Sequence, residues 1–105
     1  MVGRVYLAKI YFTDAIKYKL RPILIIKENS FGDLIYIPFT TNSVNKNSIK
    51  FIKEDLSSRN FNKVSYLIVD KTCTIQKSLI VKEIAKVKNE KLQSIIFYYC
   101  KFLKS

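Results

Sequence analysis

The apolar residues of this chain change period near residue 90, and that change limits the fold more than any other feature. Upstream they come in short β-rich runs, at residues 5–10, 22–26, 34–39, 49–52, 65–69 and 72–75. Downstream, Leu92, Ile95, Ile96, Tyr99 and Leu103 recur at helical spacing, with Tyr98 and Phe102 widening the stripe. Residues 22–26 are continuously apolar, the pattern of a strand covered on both faces. Asn29, Ser30, Phe31, Gly32 and Asp33 form a turn signal and read as a hairpin connection. Residues 42–48 and 53–63 are loop-like in composition, and 78–87 fits either a strand or a short helix. Asn89 suits an N-cap, and Lys101 and Lys104 suit the last helical turns, where cations favour the dipole. Several short strands followed by one helix predict a mainly β domain with α: a small barrel with a helix packed across it.

The chain has 105 residues, with no repeat and no Pro/Gly-rich linker, so residues 1–105 read as one domain. A core this small must be rich in aromatics or shared with a second subunit. Here 49% of residues are hydrophobic and 13% aromatic, enough to argue against disorder. Phe97 falls off the helical stripe among polar residues, which fits either one exposed aromatic or a contact with another subunit. No apolar stretch is long enough to span a bilayer, and the first residues lack the pattern of a signal peptide. A cytoplasmic protein with both thiols, Cys73 and Cys100, reduced is the expectation.

Charge is one-sided. Nineteen Lys and Arg against eight Asp and Glu give a formal charge of +11, which draws polyanions over long range. Nucleic acid is the commonest such partner, although any cationic surface protein shows the same excess. The lysines are spread along the chain and locate no site. Only three arginines occur, Arg4, Arg21 and Arg59, and each could grip a phosphate bidentately. With no His and no paired Cys motif, a zinc site built from Cys and His within one chain is excluded.

Three constellations could carry chemistry. Metal-free RNA cleavage needs a base for the ribose 2′-hydroxyl, an acid for the leaving 5′-oxygen and donors for the developing phosphorane. Arg21 precedes Pro22, which holds it extended at the mouth of an apolar strand. Pro38, Phe39, Thr40, Thr41 and Asn42 end another strand in hydroxyl and amide side chains. Asp70 ends a third apolar run beside Lys71, and neighbouring cations favour its ionised form. Each also has an ordinary structural reading: a surface Arg, local turn bonding by Thr and Asn, and a strand-ending ion pair.

The order of these pieces is more telling than any one of them. Gly3-x-Val5-Tyr6, then Phe12-Thr13-Asp14, then Arg21-Pro22-Ile23-Leu24-Ile25-Ile26, then Ile37-Pro38-Phe39-Thr40-Thr41, then Asp70-x-x-x-Thr74-Ile75 resembles the PemK/MazF family of toxins over essentially the whole chain. The resemblance implies an SH3-like barrel with a C-terminal helix (CcdB/PemK-like), a homodimer, and sequence-specific cleavage of single-stranded mRNA without a cofactor. It also implies neutralisation by a cognate antitoxin, and an acidic one would suit a +11 toxin. By the same resemblance Arg21 acts on the scissile phosphate, Thr40 helps stabilise the transition state, and Asp70 serves as acid or base. Lys17, Lys19, Thr41, Asn42, Lys71 and Thr74 complete the expected RNA-contacting set.

This sequence departs from the family pattern at Ile68, where some members carry a catalytic Arg, and at Cys73, where many carry Arg before Thr-Ile. Asn42, Ser43 and Gln76 vary it further, and no His stands between the first two strands. Two rival readings share the barrel. One is a toxin that binds DNA gyrase without catalysis, and the other is an RNA-binding module that does not cut. Arg21-Pro22 together with Thr40 favours the nuclease.

Overall fold

The computed structural model describes residues 1–42, 47–58 and 65–105. Eight strands are followed by one helix: β1 (Arg4–Tyr11), β2 (Tyr18–Glu28), β3 (Leu34–Thr40), β4 (Ser48–Phe51), β5 (Leu56–Ser58), β6 (Ser65–Ile68), β7 (Cys73–Ile75), β8 (Ile80–Val87) and α1 (Asn89–Lys104). All pairings are antiparallel, in the order β4-β6-β3-β2-β1-β8-β5, with β7 added to β3. The ladder is open among the described residues. Even so, Phe51 of terminal strand β4 and Leu56 of terminal strand β5 lie in one core cluster, so the sheet coils until its two ends share an interior. The expected mainly β architecture with a C-terminal helix is the observed one.

Two cores explain the continuous apolar run in β2. Leu24 belongs to the interior cluster with Val5, Ile37, Leu67 and Ile95. Ile23 and Ile25 point the other way, into a second cluster with Tyr6, Ala8, Leu34, Tyr36 and Ile75. Side chains alternate along a strand, so a strand covered on both faces must be apolar at every position. All three residues are fully buried. The β2–β3 turn forms as its composition predicts: Asn29 Oδ1 accepts from the amides of Phe31 and Asp33, and Gly32 supplies a φ of +81°.

The helix seats Ile95 in the interior cluster with Leu92 packed beside it. Its approach is close at Gly3, whose φ is +79° and where a Cβ would meet Leu92 Cδ2 at 2.9 Å. Several sequence expectations need correction here. The polar segment 53–63 holds more than loop: a 3₁₀ turn at Lys53–Asp55 leads into β5, where buried Leu56 pairs with Val87. Backbone pairing decides that strand, since it contains one apolar residue. Residues 59–63, like 43–46 of the other polar segment, lie outside the described residues. Segment 78–87 resolves into the end of a 3₁₀ turn and strand β8. Asn89 is the first helical residue rather than the cap, and Lys88 precedes it without a side-chain cap bond. The Lys88 amide donates to the Asp55 carbonyl at 2.8 Å, which fixes the helix entry instead. Leu103 is 62% exposed, because the helix is buried only around Ile95 and the end of its stripe meets solvent.

Candidate nucleic-acid site

Register brings the key residues together. On β1 and β2, Ala8 stands opposite Arg21 and Ile10 opposite Lys19; between β2 and β3, Ile23 stands opposite Pro38. Residues opposite each other share a face, and so do residues two apart. Ile10, Lys19, Arg21, Tyr36, Pro38 and Thr40 therefore belong to one face, that of the second core cluster. Where the cluster ends, this face opens to solvent as a cleft of about 250 Å³, lined by Ile10, Arg21, Tyr36, Pro38, Thr40, Ile68 and Lys71 along with Phe39. A second lobe of about 150 Å³ adjoins it, lined by Arg21, Pro22, Thr40, Thr41 and Ser65, again with Phe39. Arg21 and Thr40 form the ridge common to both.

The electrostatics of the ridge are cationic. Arg21 is exposed and has no ion pair among the described residues, as does Lys71, and no described carboxylate lines either lobe. Arg4, by contrast, is committed to Glu83 at 2.9 Å, and Arg59 lies outside the described residues. Of the two described arginines, Arg21 is thus the one presented to a phosphate in a cleft. Thr40 Oγ1 accepts from the Asn42 amide at 3.2 Å, which fixes the hydroxyl oxygen and leaves its proton to donate. Burial pushes the Tyr36 phenol above the ordinary tyrosine value, and the adjoining Cys73 thiol, with which it hydrogen-bonds, adds to the shift.

The other sequence candidates fall at different distances from this ridge. Thr41 and Lys71 line the lobes. Asp70 sits next to Lys71 in the 3₁₀ turn Val69–Lys71, exposed, with Asn47 Nδ2 donating to its Oδ2 at 3.4 Å; it does not line the cleft. Asn42 follows the lobe at the end of β3, also exposed. Lys19 shares the face of Arg21 two residues further out. Lys17 is in the β1–β2 turn, where its amide donates to Asp14 Oδ1 at 3.2 Å. Thr74 is exposed on β7 opposite Ile35, away from both lobes. Ile68 and Cys73, two of the departures from the family pattern, both border the cleft region, Ile68 as a wall and Cys73 as the cross-strand partner of Tyr36. Sequence reasoning did not single out Tyr36 or Ile10. The signal was there for Tyr36, which alternates with Pro38 and Thr40 on one side of β3.

Residues 2–96 match the family model described as the PemK-like, MazF-like toxin of type II toxin–antitoxin system. No curated protein sequence is significantly similar to the chain. Among solved structures, the Mycobacterium tuberculosis toxin MazF-mt6 superposes with a TM-score of 0.71 at 17% identity, covering 96% of each chain. A mycobacterial endoribonuclease in complex with its cognate antitoxin gives 0.72 at 18% identity, over 99% of this chain and 92% of that one. The MazE–MazF structure from Deinococcus radiodurans gives 0.73 at 13% identity, over 98% and 94%.

Proposed function

Because this chain belongs to the PemK-like, MazF-like family of toxins of type II toxin–antitoxin systems, we propose that it is an endoribonuclease that cuts single-stranded mRNA in a sequence-dependent way without a metal. The observation that carries this reading is the meeting of Arg21 and Thr40 on one cationic ridge beside Lys71, with open lobes on both sides. A phosphodiester on that ridge is attacked by the ribose 2′-oxygen. The bond from phosphorus to the 5′-oxygen breaks, leaving a 2′,3′-cyclic phosphate and a 5′-hydroxyl. The 2′-hydroxyl proton goes to a base, and the 5′-oxygen gains one. Arg21 stabilises the charge on the phosphorane, and Thr40 donates a hydrogen bond to it. Asp70, one residue from Lys71, orients groups at the edge of the cleft or accepts a proton through one water. Lys17, Lys19 and Lys71 hold the RNA backbone, and Thr41, Asn42 and Thr74 contact the strand as it leaves.

The partners follow from the same site. A cognate acidic antitoxin covers the ridge, as complementary charge allows. A second copy of the chain extends the RNA path as a homodimer, in the cytoplasm. No described helix is long and apolar enough to cross a membrane. The test is incubation of wild-type and Arg21→Ala protein with varied single-stranded RNAs in EDTA. Wild type cleaves to cyclic-phosphate ends, and Arg21→Ala is slower by about a hundredfold or more, the scale of losing a transition-state donor. Equal cleavage by both proteins, or none by wild type, overturns the assignment.

A further inference from the structure

The cleft is two lobes that share a ridge, and the lobes differ in chemistry. Isoleucines 10 and 68 and Pro38 wall the larger one, and Tyr36 is its polar group away from the ridge and Lys71. Hydroxyls of Thr41 and Ser65 give the smaller one a polar lining. A phosphate held by Arg21 and Thr40 has one nucleoside on each side, and a lobe adjoins the ridge on each side to receive it. A nucleobase has apolar faces and a polar edge. The larger lobe offers the matching surfaces: aliphatic walls for the faces and one fixed phenol for the edge.

Building on the nuclease reading above, we infer that the larger lobe receives the base on one side of the scissile phosphate and that Tyr36 reads its edge. Three observations carry this. Tyr36 is on the same face as Thr40, four residues and so roughly 13 Å along β3, and it lines the same cleft as the ridge residue. Its ring is buried among the second core cluster, so the phenol is held in one orientation. The hydroxyl, neutral at physiological pH like any phenol and hydrogen-bonded with the Cys73 thiol, keeps a lone pair with which to accept at the edge of a base. Neither Ile10 nor Ile68 can distinguish one base edge from another, so selectivity in this lobe falls to the phenol. Tyr36 is thus a specificity-determining residue, and it takes no proton from the reacting atoms.

The experiment is cleavage of a single-stranded RNA pool randomised around the cut, comparing wild type with Tyr36→Phe, which keeps the ring and removes the hydroxyl. The expected result is loss of preference at one position flanking the cut by roughly three- to tenfold, the worth of one neutral hydrogen bond. Preferences at other positions stay unchanged. Ile68→Ala, which widens the same lobe, alters preference at that same position. Unchanged preferences in both variants, or a uniform slowing at every sequence, overturn the inference while leaving the nuclease reading intact. A wild-type protein that cuts no member of the pool overturns that reading itself.

Discussion

The two halves of the β1–β2 ladder are built from the same two strands and have opposite fates. At the inner half, Val5 faces Leu24 and Tyr6 faces Ile23, and all four are buried. At the outer half, Ile10 faces Lys19 and Tyr11 faces Tyr18, and every residue from Tyr11 to Arg21 is exposed. The ladder hydrogen bonds are of one kind throughout, so the difference lies in what covers the faces. Core clusters lie on both sides of the inner half, and of Ile10, Lys19, Tyr11 and Tyr18 in the outer half Ile10 alone packs, partly buried, against one of them. Arg21 stands at the boundary, two residues from fully buried Ile23. A cation placed there has a rigid base and an open front, which neither half provides alone.

The largest test of this contrast is a matched truncation. Leu24→Ala removes a fully buried side chain from the interior and is expected to cost about 3–5 kcal/mol by urea denaturation. Leu20→Ala, on the same strand but 49% exposed, is expected to stay within about 0.5 kcal/mol. Similar losses at the two positions would erase the distinction between the halves. Next in size is Gly3→Ala, at the inner end of β1. Its φ of +79° and the 2.9 Å approach of Leu92 make a Cβ costly by about 1–3 kcal/mol, read as a lower melting temperature.

A smaller effect sharpens the comparison through pH. Tyr6 and Tyr36, on the buried side, have pKa values raised first by desolvation, with Glu83 adding at Tyr6 and Cys73 at Tyr36. A raised folded-state value means that the unfolded chain ionises first. Their contribution is therefore complete below about pH 10 and is lost as pH rises through the folded values. Melting temperatures measured from pH 8 to 11 should fall at the alkaline end, and less so in Tyr6→Phe. The smallest effect belongs to the exposed turn. The amides of Ile16 and Lys17 donate to Asp14 Oδ1 and hold that carboxyl below its usual range. This contribution is present above about pH 4 and lost as pH falls through the lowered value. Asp14→Ala should accelerate amide exchange at Ile16 and Lys17 and leave global stability unchanged.

How legible each part was follows the same division. Period and β-branching announced the covered strands, because burial leaves a composition behind. β5 escaped notice because its backbone pairing to Val87 and Lys86 leaves almost none. The exposure of Leu103 was not legible, because periodicity says which way a side chain points on a helix, and not how far the surface beneath it extends. Within the site, Arg21 and Thr40 were legible from Pro22 and from the strand-end hydroxyls. Tyr36 carried only its alternation with Pro38 and Thr40, since a tyrosine among Leu34, Ile35 and Ile37 reads as core until register sets it in the wall of the cleft. The positions of Asp70, Lys17 and Thr74 outside the lobes depend on turns and pairings that local sequence does not encode.

Both prolines of this chain border the cleft, Pro22 in one lobe and Pro38 in the other. Each has its φ set by a ring, and each restricts the residue before it. Fewer unfolded conformations are therefore open to the segments that carry Arg21 and Thr40. The backbone entropy of ordering the ridge is met when the chain folds, so little of it remains to be charged against whatever binds there.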